Sequence, residues 1–596
     1  MDKNLDDFNR IMSDYDNPEK KGFYVFSIAR ELREAYPNCG SIYDDCIEYE
    51  ITAFLFSGNY PQNNNPWGEY YYGPMSIFPN DDRTCSITPD INVLTPEMLD
   101  YWENRLAVTK NPLIAVRYGG LLYDFYKKIN SKNPPYQTVE KYLESVIIVA
   151  EGNHDSSQST TFSRLERALS IAISYRKPGL VNKIKNAIIS FEDNYGEDRH
   201  PGTWGHSIKL LVGNPKVELT FEEEKDIVLK LTKRLERQSR LYPSDEEFSP
   251  YSVEHAANLL AGYYNGQKQK NEECIRRVFE FYDSAINKII ALDSPIISEN
   301  HLTQEADFCK RFNLKEERSA ILAHIQEIDK SIPNTMKAIP VEFKVTEDEL
   351  NQLYEDIVKG DAEDVFARIA LWFIPTYKEA EEQVLENSKG SISSLIPLKL
   401  LDNEGRILAN IGSVENNLNN RTLNYISEKL RFTSVFLDLI FERAIEKNII
   451  DEKKVIAYLQ KTPIIMKDHF GLIASALKHY FSGEYAEFIH MAIPQIEAAL
   501  RNVIELAGET TYIANGEGGY DVFPLSKILA TPLVININEN MITYFKVIFD
   551  SRMGLNLRND MSHGILPEKS FNRQKANMVL HALLCLGMMR YSDEKE

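Results

Sequence analysis

The sequence predicts an all-α protein: a multi-helical N-terminal array of helical hairpins, followed by a C-terminal up-and-down helical bundle. Three observations carry this. Apolar residues recur at spacings of three and four along most of the chain. The runs are joined by short polar stretches that contain Gly, Pro, Asn or Ser. Only one short run, 338–345 (AIPVEFKV), reads as a strand. A chain of 596 residues and 68.5 kDa suggests three to five domains. Boundaries are expected at 1–130, 131–337, 338–464 and 465–596.

The first region contains helical patterns at 23–38 and 41–58, then a loop at 59–79 with Trp67 and Tyr70, Tyr71 and Tyr72. Such a loop can stack on bases; packing beneath neighbouring helices is the simpler reading. Thr95, Pro96 and Glu97 form an N-cap and first turn. Helical patterns then follow at 135–149, 162–175, 179–191, 221–238, 252–264 and 272–290. Their spacing resembles stacked hairpins, without a fixed repeat period. Glu222, Glu223 and Glu224 read as a solvated first turn favoured by the helix dipole. Helix resumes at 347–359 and 362–372. A polar stretch at 379–422 reads as a domain junction, and 423–447 and 453–460 are helical again.

In the last region, Met466, Phe470, Ile473, Leu477 and Tyr480 share one helix face. Tyr485, Phe488, Ala492, Ile496, Leu500, Val503 and Ala507 share another, with Gly508 as its stop. Pro494 predicts a kink or a fresh start. The link at 508–538 is irregular and contains Gly516, Gly518, Gly519 and a short apolar segment, 523–529. Asn538 caps a helix carrying Ile542, Phe545 and Phe549, whose continuation reaches Leu555, Leu557 and the segment RNDMSHG. Gly564 and Pro567 end it, and a final helix occupies 571–591. These helices make a compact bundle.

Composition narrows the function. Hydrophobic residues are 43% and charged residues 26%, a globular balance. The net charge of -21 disfavours nonspecific coating of nucleic acid, though it permits a local basic site. Cysteines at 39, 46, 85, 274, 309 and 585 form no C-x-x-C pair. They read as buried free thiols of a reducing cytoplasm. The N-terminal MDKNLDDFNR is acidic, not signal-like, and the longest apolar stretch, near 580–589, is half a membrane span. A soluble, cytoplasmic protein without membrane association is expected. There is no Walker loop, G-x-G-x-x-G, G-x-S-x-G, kinase signature or H-E-x-x-H. Glu197, Asp198, His200 and His206 are too irregularly spaced for a metal site. His479 and His490 read as surface or packing residues. No cofactor and no metal are expected.

One segment carries chemistry: Arg558-Asn559-Asp560-Met561-Ser562-His563-Gly564. Arg is a permanent, planar cation suited to phosphate. His gives or takes a proton near neutral pH. RNA cleavage by 2′-hydroxyl attack needs little more: a base, an acid and a cation for the phosphorane, without a metal. Residues 541–590 carry seven Lys or Arg and three Asp or Glu, a local basic excess. Arg precedes His at similar spacing in two other places, Arg199 to His206 and Arg318 to His324. The first is a Gly- and Pro-rich loop and the second an ordinary helix turn.

GLNLRNDMSHG, residues 554–564, resembles the signature of the HEPN superfamily, Arg then a polar residue then His after four to six positions. It is closest to the branch found in the eukaryotic ER-membrane-associated RNA degradation protein and bacterial homologues. IEAALRN (496–502) and PLSKIL (524–529) precede it in the order that this branch shows. The resemblance covers about 130 residues. It implies a metal-independent endoribonuclease that works as a homodimer, with two motifs facing each other. Arg558 and His563 would be catalytic and Asn559 would orient them. Glu497 matches a recurrent acidic position, and it also makes an ordinary helix pair with Arg501. Bacterial members serve in toxin-type stress defence and antiphage abortive infection. The implied partners are therefore RNA, a second copy and a regulatory protein or phage trigger. The alternative is a non-catalytic helical scaffold that binds a partner and dimerises through the bundle.

Overall fold

The computed structural model describes residues 3–36, 44–59, 65–79, 85–267, 271–292, 294–337, 344–402 and 404–590. It is all-α: helices dominate, and the described strands form three separate two-stranded hairpins. The chain divides into two compact units, Met1–Ile325 and Gln326–Glu596. Most of the strand-like run at 338–345 lies outside the described residues, as does Cys39. No described helix is long and apolar enough to cross a membrane.

The first unit is built from helices that each pack on the next: Pro96–Val108, Pro112–Asn130, Tyr136–Gly152, Gln158–Ser174 and Pro178–Tyr195. A second series is Phe221–Arg240, Pro250–Gly266, Glu272–Ile290 and Pro295–Phe312. The punctuation is local chemistry. Pro96, Pro112, Pro178, Pro250 and Pro295 each occupy the first turn, where a missing N–H costs nothing. Thr95, Asn111 and Ser249 accept hydrogen bonds from the amides of Met98, Leu113 and Ser252.

Two readings of this region need correction. Glu223 is not simply solvated. It closes a capping box with Thr220 and accepts a 2.6 Å bond from the nearly buried Lys185. That ammonium holds its carboxyl below the usual range. The described cysteines are free, but Cys46 and Cys85 are exposed, and only Cys309 and Cys585 among them are buried. The aromatic loop largely packs. Trp67 lies edge-on to Phe56 and Phe125, and the amides of Tyr71 and Tyr72 donate to Asp124 at 3.1 Å.

In the second unit a single apolar core extends from Tyr354 to Leu586. No break in it falls near 465. The helices that complete the bundle come from before that position: Ala362–Trp372, Leu418–Glu446 and Glu452–Leu459 all pack on the final helix, Arg573–Gly587. The polar stretch 379–422 is ordered as the helix Tyr377–Ser388, a hairpin of Leu398–Leu401 with Ile407–Ile411, and the start of the long helix. Tyr485–Leu506 continues through Pro494 without a fresh start. It stops where expected: Gly508, at φ 81°, and Glu509 donate to the carbonyls of Glu505 and Ile504.

Every residue of the final helix from Ala576 to Gly587 is buried. A helix apolar all round must be central. Its one imidazole, His581, is sealed in. The Tyr544 hydroxyl lies 2.5 Å from Nδ1, and Nε2 donates to the Ile369 carbonyl at 3.1 Å. The neutral ring satisfies both nitrogens, and burial pushes its pKa down to about 4. A depressed folded pKa gives stability that is complete above the unfolded value of 6.5 and is lost as pH falls toward 4. Chemical unfolding at pH 7 and pH 4.5 should show this. His581→Gln is expected to be less stable at pH 7, with a difference between the two pH values smaller by about 2 kcal/mol. Parallel curves for the two proteins would remove His581 as the cause.

Candidate functional site

The motif sits on a short separate helix, Leu557–Ser562, and not on a continuation of the preceding one. That preceding helix, Glu539–Phe545, is capped by Asn538, whose side chain accepts from the Met541 amide. It widens into a π-turn, Lys546–Asp550, closed by the Ser551 amide donating to the Lys546 carbonyl at 2.7 Å. The chain then reverses over 551–556. Gly554 makes this possible, because a Cβ there would stand 1.9 Å from the Val547 carbonyl oxygen. Asn556, at φ 47°, starts the motif helix in the left-handed region that Asn tolerates. Gly564, at φ 66°, ends it: Gly564 and Ile565 donate to the carbonyls of Met561 and Asp560.

The structure brings four of the five sequence-derived site residues into one network. Arg558 Nε donates to Glu497 Oε2 at 3.0 Å, across 61 residues of chain. Arg501 Nη2 donates to Glu497 Oε1 at 2.8 Å and to the Phe523 carbonyl at 3.2 Å. Glu497 thus bridges two guanidinium groups. Its side chain is 13% exposed, and those of Arg501 and Arg558 are 19% and 28%. Asn559 Oδ1 accepts from Arg558 Nη1 at 3.2 Å. His563 is the exception. It caps the C-terminal end of the motif helix with its side chain exposed, and it makes no side-chain hydrogen bond among the described residues.

Three further residues complete the network. Asn559 Nδ2 donates to Asn556 Oδ1 at 2.8 Å and reaches Asp550 at 3.4 Å. Asn556 Nδ2 donates to Asp560 Oδ1 at 2.7 Å. Burial raises the Asp560 carboxyl, and the Asn556 amide opposes that shift. Asp560 lay inside the motif. Asp550 and Asn556 carried no sequence signal beyond proximity, because the loop that delivers them depends on a π-turn and one glycine.

The charge around the site is smaller than the sequence window suggested. Arg558, Arg573 and Arg590 are paired with Glu497, Glu442 and Glu363, all from outside 541–590. Lys546, Arg552 and Lys569 are exposed and form no ion pair among the described residues. The other Arg and His groupings are also accounted for. Asp198 is bound by Arg234 and Arg237 at 2.5 and 2.8 Å. His200 lies 2.7 Å from Glu197, and His206 stacks on Phe162. His479 lies 2.6 Å from Glu484, and His490 contacts the Ala486 carbonyl and Phe571.

Removing Glu497 strands two partly buried guanidinium groups. Glu497→Ala should destabilise the second unit by about 2 kcal/mol or more, measured by urea unfolding. A double-mutant cycle with Arg558→Ala should give a coupling of about 1 kcal/mol. Strict additivity would mean that the bridge is energetically empty.

No family model and no curated protein matches this chain. Among solved structures, a circular tandem repeat protein with novel repeat topology and enhanced subunit contact surfaces is similar at 10% identity, over 98% of this chain and 99% of that one. Its TM-score is 0.13, so nothing about fold or function follows from it.

Proposed function

We propose that this protein is a metal-independent HEPN-type endoribonuclease. The observation that carries the reading is the pairing of Arg558 with Glu497 and Asn559 on a short helix whose C-terminal cap is the exposed His563. In this mechanism His563 takes the proton from a ribose 2′-hydroxyl, or gives one to the departing 5′-oxygen. The 2′-oxygen attacks phosphorus and the P–O5′ bond breaks, leaving a 2′,3′-cyclic phosphate and a 5′-hydroxyl. Arg558, held by Glu497 and Asn559, neutralises the charge growing on the non-bridging oxygens. One His cannot be acid and base in the same step, so a second copy of the motif supplies the other group in a homodimer. The exposure of His563 suits a site completed by a partner surface. Toxin-type or antiphage defence, with a regulatory protein or phage trigger, is the cellular setting that fits such an activity.

One observation favours the alternative, a partner-binding scaffold. The Arg558 guanidinium already bridges to Glu497 and Asn559, as a purely structural arginine would.

Cleavage of RNA by the purified protein in EDTA decides between them. Arg558→Ala and His563→Ala are expected to lose about 100-fold or more in rate, with the helical content and mass of the assembly unchanged. The rate of the wild type should vary between about pH 5 and 8. Cleavage undiminished in His563→Ala would remove the enzymatic reading. A partner that is still captured by the Arg558→Ala and His563→Ala variants, from a protein that cuts nothing, would support the scaffold.

A further inference from the structure

The first unit contains a cleft of about 870 Å³ that neither the motif nor the hairpin packing explains. Four segments wall it. The aromatic loop gives Glu69 and Tyr70, and the helix Pro112–Asn130 gives Tyr123, Asp124, Lys127 and Lys128. The turn after that helix gives Asn133 and Pro134, and the end of the helix Gln158–Ser174 gives Ser174 and Tyr175. Tyr123 with Lys127, and Asp124 with Lys128, are four residues apart, so each pair lies on one helix face.

We propose that this cleft binds a nucleoside phosphate, with its base against the tyrosines and its phosphates on Lys127 and Lys128. The volume lies within the range of small-molecule sites. The three tyrosine rings are half-buried and backed by other rings: Tyr70 by Phe125 at 5.3 Å, and Tyr175 by Tyr123 and Tyr136 at 6.5 and 6.4 Å. They are therefore positioned platforms. Their hydroxyls make no hydrogen bond among the described residues, which leaves donors for ribose or base. Burial raises the pKa of Tyr70 and Tyr175, keeping those donors protonated.

The electrostatics suit an anion. Lys127 and Lys128 are exposed and form no ion pair among the described residues, in a chain whose net charge is -21. The buried acid of the cleft, Asp124, is already neutralised. It takes the Arg167 guanidinium at 2.5 Å and the amides of Tyr71 and Tyr72 at 3.1 Å. Glu69 at the rim is exposed and is outnumbered by the lysines. A lysine pair at a helix C-terminus also complements the dipole. That accounts for the lysines alone, not for their meeting with three backed tyrosines in one cleft.

The inference does not rest on ribonuclease activity, and its test separates the two units. Titration calorimetry of the full chain with ATP, adenosine and tripolyphosphate is expected to show saturable binding of ATP, with the other two weaker by about tenfold or more. Lys127→Glu with Lys128→Glu should weaken ATP by at least about tenfold, without changing helical content, because both side chains are exposed. Tyr175→Leu should weaken ATP and leave tripolyphosphate unchanged. Arg558→Ala should leave ATP binding intact. Three results would each overturn the proposal: no saturable ATP binding, tripolyphosphate or adenosine binding as tightly as ATP, or ATP binding lost in Arg558→Ala and kept in the lysine variant.

Discussion

The second unit depends on burying one helix completely. After the polar first turn, every residue of Arg573–Gly587 from Ala576 onward is buried, so this stretch can exist only with protein on every face. That requirement recruits Ala362–Trp372, Leu418–Glu446, Glu452–Leu459 and Tyr485–Leu506 around it. Close approach fixes the packing. A Cβ at Gly587 would stand 2.2 Å from the Tyr458 ring, so only glycine lets those two elements meet there. The buried polar side chains of this helix are paired: Asn577 accepts from the Tyr480 hydroxyl and donates to Asp438, and His581 is held between Tyr544 and Ile369. An unpaired group in that position would cost a few kcal/mol. The helix that bears Glu497 and Arg501 is one of those packed on this centre, which makes Glu497 a stationary anchor.

The motif is positioned against that anchor by local backbone devices. The π-turn, Gly554 against Val547, and left-handed Asn556 together turn the chain so that Arg558 meets a carboxylate 61 residues earlier. Each device is conformationally costly, and together they set one side chain. The result is asymmetric. Arg558 is gripped on two sides, whereas His563, at the end of a six-residue helix, faces solvent. If the motif acts as proposed, the held Arg558 supplies preorganised charge stabilisation and proton transfer by His563 awaits the substrate or a second copy.

Much of this was legible in the chain, for reasons that are local. Three-and-four periodicity located most helices to within a few residues, because it is the direct imprint of a buried face. Thr95, Asn538 and Gly508 acted as read, because capping is a contact between near neighbours. The helix pair of Glu497 with Arg501, four residues apart, forms as read, whereas the meeting of Arg558 with Glu497 across 61 residues was not written in the local pattern. What was not legible is non-local. A boundary near 465 looked reasonable because the last 130 residues carry a bundle pattern. Their core nevertheless includes Val365, Phe366 and Leu437, which no windowed reading could assign to it. The three hairpins are too short to show a period of two. Of the two outcomes read at Pro494, a fresh start is the one that does not occur: the burial of Phe488, Ile489, Ile493 and Ile496 on both sides outweighs one lost bond.

Charge shows the same distinction between local and global reading most sharply. A window of fifty residues at the C-terminus is basic, and by itself would suggest a phosphate-binding face. Folding brings Glu363, Glu442 and Glu497 to three of its arginines. The cations without an ion pair among the described residues are the half-buried Lys575 and the exposed Lys546, Arg552 and Lys569, which belong to the π-turn, the reversal after it and the stretch beyond the motif. Exposed cations of this kind contribute weakly and lose force as salt rises, since water and ions screen them within about 10 Å at 0.1 M. If the motif takes a phosphate chain as proposed, the partly buried Arg558 and Lys575, where screening is weaker, contribute most. To offer its full face to a phosphate, that guanidinium must share or release the bond that Glu497 now holds. The ion pair between helix and motif is in consequence both the element that sets the arginine's position and the competitor that any anionic ligand has to meet.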